Sequence, residues 1–404
     1  MVYCHGVVPP PFLLAACLVL LLAVGAIERV AGWRSRRAVP IRIHVNGTRG
    51  KSTVTRLIAA ALREAGVPTL GKVTGTQPRL LLPDGSERPI VRRGPANVRE
   101  QSWALREASR QRVRALVIEC MAVRPDLQWT AEQEMVRATI GVVTNVRLDH
   151  REVMGRSLED IARSLSNTIP SRAVAVVGDD RFLPVFEAQA RAMGTRLVVA
   201  GAGTEPAAPA EPAWLREDRV LALAVTRELG IPDAVARAGM AKAVPDPGAA
   251  AMSVVQVGAR GVPCLDATAA NDPESLDRIV AESPLGRVAA ERRLVVYNHR
   301  ADRPERLRDF ARHSASVAVA AQVVVTGDRP ALVLWSMLKR ERGNRSLAFV
   351  RRGRLAAALK THDDSEAPAP GSRPALTRDV DAVVLCGNAR GLPPEGILHR
   401  TKGH

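Results

Sequence analysis

The sequence predicts an α/β fold, in which mostly parallel sheets covered by helices form two domains behind one apolar amino-terminal helix. Three observations carry that expectation. Short apolar runs alternate with stretches of helical periodicity along most of the chain, the order expected of parallel strands joined by covering helices. A glycine-rich turn joins the first strand-like run to the first amphipathic stretch, and before both lies a segment from Val7 to Ile27 without a charged residue. At 404 residues the chain also exceeds the ~250 at which a single core stops growing.

The amino-terminal segment reads as a membrane address. Phe12–Leu22 is nearly all Leu, Ala and Val, and Pro9–Pro11 stands where a helix would start. A helix of ~20 apolar residues crosses a ~30 Å hydrocarbon core, so residues 1–38 are expected to form an anchor whose helix covers about 9–28. Arg29, Arg34, Arg36 and Arg37 follow the apolar run and no Lys or Arg precedes it. The positive-inside rule then predicts a single-pass protein of the cell membrane with the rest of the chain in the cytoplasm. A cleaved signal peptide would carry its positive charges first and a small-residue cleavage site last, and neither is present.

Ile41–Val45 alternates apolar and polar residues and reads as a strand. Val54, Leu57, Ile58, Ala61, Leu62 and Ala65 then follow helical spacing, stopped by Gly66. Further strand-like runs lie at Ala115–Ile118, Ile140–Thr144, Ala173–Val177 and Leu197–Ala200, and Gly201–Ala213 reads as a surface loop. Pro245–Gly248 holds two prolines that fix φ and donate nothing, so the boundary is placed there, between domains at 39–245 and 249–404. In the second, runs at Ser253–Val257, Leu294–Tyr297, Val317–Val325, Leu347–Val350 and Ala382–Cys386 predict a smaller Rossmann-like α/β domain. Thr361–Ala375, rich in Asp, Pro and Ser, reads as a loop.

Composition removes several functions. Aromatic residues make up 3% of the chain, too few for the stacking platforms that hold single-stranded nucleic acid. The formal charge of +17 attracts polyanions in general, but only six of the 58 basic residues are Lys, so a coding bias towards Arg explains the excess equally well. With no helix-turn-helix or zinc pattern, nucleic acid is not expected as a partner. The five cysteines are scattered, without C-x-x-C pairs or neighbouring His at metal-ligand spacing.

The chemistry concentrates in Asn46-Gly47-Thr48-Arg49-Gly50-Lys51-Ser52-Thr53, between the first strand and the first helix. Gly47 and Gly50 let the backbone curl so that its N–H groups face phosphate oxygens at a helix amino terminus. Lys51 can then neutralise β/γ-phosphate charge and the Ser52 hydroxyl can ligate Mg²⁺, so ATP with Mg²⁺ is the expected ligand. Glu119 closes the run Ala115–Ile118, and Asn145-Val146-Arg147-Leu148-Asp149-His150 follows the strand Ile140–Thr144. Both stand at carboxyl ends of strands, where an open α/β sheet presents its ligand. Lys72, Thr74 and Thr76 after the first helix, with Asn97, Arg99 and Glu100, are candidates for holding substrate.

The spacing G-x-x-G-K-S is two residues shorter than the common Walker pattern. It resembles the G-T-x-G-K-[ST]-[ST] loop of the Mur and folylpolyglutamate ligases. That resemblance implies Mg²⁺ ligation by Ser52, Glu119 and His150, with Lys51, Glu119 and His150 in catalysis and residues 46–53 and Asn145 around the nucleotide. In the second domain Leu265–Pro273 resembles the loop by which the Mur carboxy-terminal domain closes over ATP, with Asp266 and Asn271 at its polar positions. Asn298–Arg303 is similar to the asparagine-arginine motif of poly-γ-glutamate synthases and adds Arg300.

From Ile41 to Asn388 the order of motifs resembles the ligase-subunit family of poly-γ-glutamate synthase (PgsB/CapB). The resemblance implies an ATP-dependent amide ligase that joins glutamate to a poly-γ-glutamate chain through a γ-glutamyl phosphate, for a capsule or secreted polymer, with membrane proteins of the synthase complex as partners. A membrane-tethered phosphate-loop NTPase without ligase activity, or a Mur-like ligase for another acidic amino acid, are the alternatives. Leu158–Pro170 lacks the lysine that many Mur ligases carbamylate, and Pro245–Gly248 lacks their interdomain arginine, for which Arg260 or Arg300 are the substitutes at hand. No residue stands out as a general base.

Overall fold

A computed structural model describes residues 11–75, 78–92, 94–201, 213–245, 250–257, 260–270, 272–318, 320, 322–342, 346–360, 380–387 and 398–399. The chain divides into two compact units. The first comprises Met1–Val73, Arg79–Ala200 and Ala222–Lys242, and the second Thr74–Pro78, Gly201–Leu221 and Ala243–His404.

In the first unit, helix α1 (Pro11–Ala38) runs ten residues beyond the expected end at 28. No proline interrupts Glu28–Ala38, and the next one is Pro40. Eight strands follow: β1 (Ile41–Asn46), β2 (Thr69–Val73), β3 (Arg79–Leu81), β4 (Glu87–Pro89), β5 (Ala115–Glu119), β6 (Ile140–Val143), β7 (Val174–Val177) and β8 (Arg196–Val199). They form one sheet in the order β4-β3-β2-β5-β1-β6-β7-β8. From β2 to β8 every pairing is parallel, whereas β3 and β4 add an antiparallel hairpin at one edge. That hairpin was not expected, although Pro83-Asp84-Gly85 between its strands is a turn signal.

β1 occupies the middle of this sheet, with Ile43 and Val45 fully buried, and β5 beside it is buried along its whole length. Strands covered on both faces have no polar alternation, which is why β5 reads as a continuous apolar run. Helix α2 (Lys51–Glu64) leaves the β1 turn and buries Val54, Leu57, Ile58, Ala61 and Leu62. Around the sheet lie α3 (Glu100–Arg110), α4 (Pro125–Thr130) continued by a π turn at Ala131–Val136, α5 (Arg151–Met154), α6 (Leu158–Ser166), α7 (Leu183–Met193), the end of α8 (Ala213–Glu228), whose residues up to Leu221 belong to the second unit, and α9 (Asp233–Ala241).

The second unit carries a seven-stranded sheet in the order β13-β12-β11-β14-β10-β9-β15. Its strands are β9 (Ala251–Val257), β10 (Arg260–Asp266), β11 (Arg293–His299), β12 (Gln322–Gly327), β13 (Ser346–Phe349), β14 (Ala382–Cys386) and β15 (Leu398–His399). The pairings from β13 to β10 are parallel, and β9 pairs antiparallel with both β10 and β15. Among the described residues five α-helices accompany it: α10 (Pro273–Glu282), α11 (Pro304–His313), α12 (Ala315–Ala318), α13 (Leu332–Arg342) and α14 (Leu355–Lys360).

The run Val317–Val325 is thus not one strand. Its first residues end α12, whose start is set by Asp277, accepting from Ala315 N and Ser316 N at 2.7 and 2.9 Å. The expected loop at Thr361–Ala375, the residues after Pro245 in the boundary turn and all but the ends of Gly201–Ala213 fall outside the described residues.

Candidate active site

The carboxyl ends of β1, β5 and β6 lie side by side, and each delivers one part of the site. After β1 the chain turns through Gly47, at φ 133°, and Gly50, at φ 79°, before α2 begins at Lys51. Both angles lie where side chains are costly. A Cβ on Gly47 would sit 1.9 Å from the Thr144 hydroxyl, so the loop is pressed against the chain leaving β6.

Asn145 holds that loop in shape. The Thr48 hydroxyl donates to Asn145 Oδ1 at 2.7 Å, Arg49 N donates to the same oxygen at 3.0 Å, and Asn145 Nδ2 donates to the Arg49 carbonyl at 3.2 Å. Thr48 Oγ1 also accepts from Arg147 N at 2.9 Å. Asn46 is buried, its Nδ2 shared between Gln128 and Thr168.

Lys51 folds over the loop, its ammonium donating to the carbonyls of Gly47 at 2.6 Å and Thr48 at 3.3 Å. One residue on, the Ser52 hydroxyl donates to Glu119 Oε2 at 2.9 Å. The two residues stand 67 positions apart in the chain. Thr53 completes the first turn of α2.

His150 takes up a left-handed conformation, φ 47°, just before α5. Its Nδ1 lies 3.4 Å from Glu152 Oε1 and its Nε2 3.9 Å from Asp149 Oδ2. Asp149 is paired with Arg49 at 2.7 Å. Burial alone would raise the Asp149 carboxyl, but Arg49, His150 and Lys51 outweigh it and hold it at about 2.

These residues fit an anionic ligand with a divalent cation. The helix amino terminus suits the anion, and the oxygens of Ser52 and Glu119, already within hydrogen-bond distance, would suit the cation. Among the described residues no group of three or more His, Cys, Asp or Glu forms a cage. Mg²⁺ suits such a partial set, since it is commonly held by one or two carboxylates together with substrate phosphates.

Comparison with known proteins gives the family of the chain. The Mur ligase middle domain profile matches residues 45–220, and the profile of the poly-gamma-glutamate synthase CapB C-terminal domain matches 252–399. PGA synthase CapB of Bacillus subtilis (strain 168) is 34% identical over 323 residues, 78% of this chain and 81% of the relative. The chain belongs to the CapB family. Capsule biosynthesis protein CapB of Bacillus anthracis is 35% identical over 337 residues, 81% of this chain and 71% of the relative. Among solved structures, the folylpolyglutamate synthase of Mycobacterium tuberculosis complexed with ADP superposes with a TM-score of 0.65 at 18% identity, covering 91% of this chain and 92% of that one. That likeness shows a common fold.

In this CapB-family chain Lys51, Ser52, Glu119 and His150 all fall inside the Mur-matched segment, and Asp266 and Arg300 inside the CapB-specific one. Asp266 ends β10, where its Oδ1 accepts from Thr268 N and Thr268 Oγ1 at 3.1 and 2.6 Å. Arg300 follows β11 and donates Nε to Asp302 at 2.8 Å, while Arg260 pairs with Asp381 at 3.2 Å. Asn298 is buried and accepts from Arg352 at 3.3 Å. Asn271 and Thr76 lie outside the described residues.

The substrate candidates of the first unit are engaged internally. Lys72 is fully buried on β2, Arg99 pairs with Glu28, Asn97 caps Arg99 N at 2.9 Å, and Glu100 pairs with Arg92 at 2.7 Å. Thr74 directly follows β2. Sequence reasoning gave no role to Gln101, His44, Glu132 and Asp179, buried polar residues that each have a partner far away in the chain. No local pattern marks such pairs.

Proposed function

We propose that this chain polymerises glutamate through γ-amide bonds, using ATP to activate the carboxylate. The observation that carries the reading is the Ser52–Glu119 pair beside Lys51 on a glycine-turned loop, in a chain of the CapB family. A carboxylate resists amines because its charge is delocalised and oxygen is a poor leaving group. Attack of the glutamyl γ-carboxylate oxygen on the ATP γ-phosphorus releases ADP and forms an acyl phosphate. The amine of the next glutamate, having lost its proton, then attacks the acyl carbon, and phosphate leaves.

The barrier of the first step is largely repulsion between anions, which preorganised cations offset. Lys51 neutralises the transferring phosphoryl, and the N–H groups of residues 47–52 cradle the phosphates. Ser52, Glu119 and His150 would hold Mg²⁺, which supplies further charge neutralisation. Asn46, Thr48, Arg49, Thr53 and Asn145 shape the nucleotide site, and the family resemblance adds Asp266, Asn271 and Arg300 as nucleotide-binding candidates. Residues 1–38 form the anchor, 39–245 the ATP domain and 249–404 the carboxy-terminal domain. α1 carries exposed Leu, Val and Phe along its first part, as a single membrane span requires, with the ligase body on the cytoplasmic side where ATP is found. Membrane proteins of the same synthase complex are the expected partners.

The test uses membranes containing the full-length protein, ATP, Mg²⁺ and labelled glutamate. Phosphate release should require glutamate, hydroxylamine should trap the acyl phosphate as a hydroxamate, and Lys51→Ala should slow release by about 10²-fold or more. Release without glutamate, or an unchanged Lys51→Ala rate, contradicts the reading.

A further inference from the structure

Behind the phosphate loop the first unit encloses a lysine that the reaction above does not use. Lys72 has no exposed surface, and a buried ammonium is costly unless its protons are all taken up. Its Nζ donates to Gln101 Oε1 at 3.1 Å, lies 3.6 Å from Glu100 Oε2 and 3.6 Å from Met121 Sδ. Glu100 is held in turn by the Arg92 fork at 2.7 and 3.1 Å. Burial pushes the ammonium below the ordinary lysine value, and the carboxylates of Glu100 and Glu119 draw it back.

Gln101 converts that charge into an orientation. An ammonium only donates, so the amide must turn its oxygen to Lys72 and its nitrogen away from it. The nitrogen then donates to the Glu119 carbonyl at 3.1 Å and lies 3.4 Å from His44 Nε2. The β2–β5 pairing ends with Lys72 opposite Ile118, which leaves Glu119 one residue beyond the ladder on that side. Behind the amide, His44 Nδ1 sits 2.7 Å from Glu132 Oε2, and Gln101, His44 and Glu132 are all fully buried. Glu119 is therefore gripped at both ends, its backbone by Gln101 and its carboxylate by Ser52.

We propose that Lys72 is a positioning residue for Glu119: by fixing the Gln101 amide it aims the Glu119 carboxylate at a divalent cation shared with Ser52. The inference rests on the reading of Ser52 and Glu119 as the metal pair. It predicts that the two residues of β2 and α3 act on metal affinity without touching metal or nucleotide, as partners of metal ligands do.

The test measures Mn²⁺ binding by electron paramagnetic resonance, with full-length protein in detergent and a non-hydrolysable ATP analogue, and separately the affinity for the analogue in EDTA. Gln101→Glu keeps an acceptor for Lys72 and removes the donor to Glu119. Lys72→Met removes the charge that orients the amide, and Lys72→Met with Glu100→Gln removes both charges together should the single variant fail to fold. Each is expected to weaken Mn²⁺ by ~10–100-fold, with metal-free analogue affinity within about twofold of the original. Wild-type Mn²⁺ affinity in Gln101→Glu, or equal losses in both measurements, overturns the positioning role. Glu119→Gln separates the two readings: if it too leaves Mn²⁺ binding intact, the metal pair falls and this inference with it, whereas a loss there beside an unchanged Gln101→Glu overturns the positioning role alone.

Discussion

Asp179 shows how one residue remote from the phosphate loop governs its shape. Its Oδ2 accepts from Val146 N at 2.9 Å, and Arg181, which pairs with it at 2.8 Å, donates to the Val146 carbonyl at 2.9 Å. Val146 is thereby held on both sides, one residue beyond the Asn145 amide that closes on Thr48 and Arg49. Burial alone would raise the Asp179 carboxyl, but Arg181 and the Val146 N–H outweigh it and hold it below the ordinary carboxylate value. A group depressed in the folded state stabilises the protein above its unfolded value and loses that contribution as pH falls through the folded one. Asp179→Asn is accordingly expected to cost about 2 kcal/mol near neutral pH, as for hydrogen bonds to a charged group. The difference from the parent should shrink below about pH 4, where the unfolded carboxyl protonates. Urea unfolding of both proteins between pH 3 and pH 7 checks this, and a difference that does not change with pH would assign the loss to packing instead of charge.

At the scale of elements, what the sequence revealed followed from periodicity, and what it hid followed from tertiary contacts. β1, the glycine turn and α2 were legible because alternation, paired glycines and a stripe of Val54, Leu57, Ile58, Ala61 and Leu62 stand next to one another. Glu119 and Asn145 were legible because each directly follows a buried apolar run. The ten extra residues of α1 were not, since Arg34–Arg37 look solvent-facing until the Arg36 guanidinium reaches the carbonyls of Glu134 and Met135 at 3.4 and 3.3 Å. Lys72 is a substrate candidate from its place after the first helix, and its full burial against Gln101 and Glu100 is visible only in the fold.

Gly239 was overlooked for the same reason. It lies within α9, where glycine costs a helix ~1 kcal/mol relative to alanine, yet a Cβ there would meet Ala60 O at 2.6 Å and Ala61 Cα at 2.7 Å of α2. The glycine permits the close approach of α9 to the helix that presents Lys51 and Ser52. Gly239→Val is therefore expected to destabilise by ~1–3 kcal/mol through overpacking, and, by shifting α2, to weaken ATP binding as well. Thermal unfolding with and without ATP measures both, and unchanged nucleotide affinity in a destabilised variant would show that α2 holds its place without α9.

At the scale of the whole molecule, α1 is two things in one helix. Its first part exposes Phe12, Leu13, Leu14, Leu18, Val19, Leu20, Leu21, Leu22 and Ile27, a surface that water does not favour and a bilayer accepts. Its last part is built into the first unit. Ser35 and, just beyond the helix, Val39 are buried, Glu28 pairs with Arg99 next to α3, and Arg42 of β1 donates to the carbonyls of Arg36 and Val39 at 3.1 and 2.8 Å. Two residues separate this helix from the strand that carries the phosphate loop, so the apolar segment and the ATP domain are mechanically continuous. Removing residues 1–27 is expected to release the protein from membranes while leaving its melting temperature nearly unchanged. Removing residues 1–38 also deletes the docked part. Each lost buried hydrogen bond costs about 1 kcal/mol, and Tm falls by roughly 2–4 °C per kcal/mol for a unit of this size. Carbonate extraction and thermal unfolding of the two truncations discriminate the roles: a 28–404 protein that still pellets with membranes would place the attachment elsewhere, and equal melting temperatures would show that the second half of α1 contributes no more than a tether.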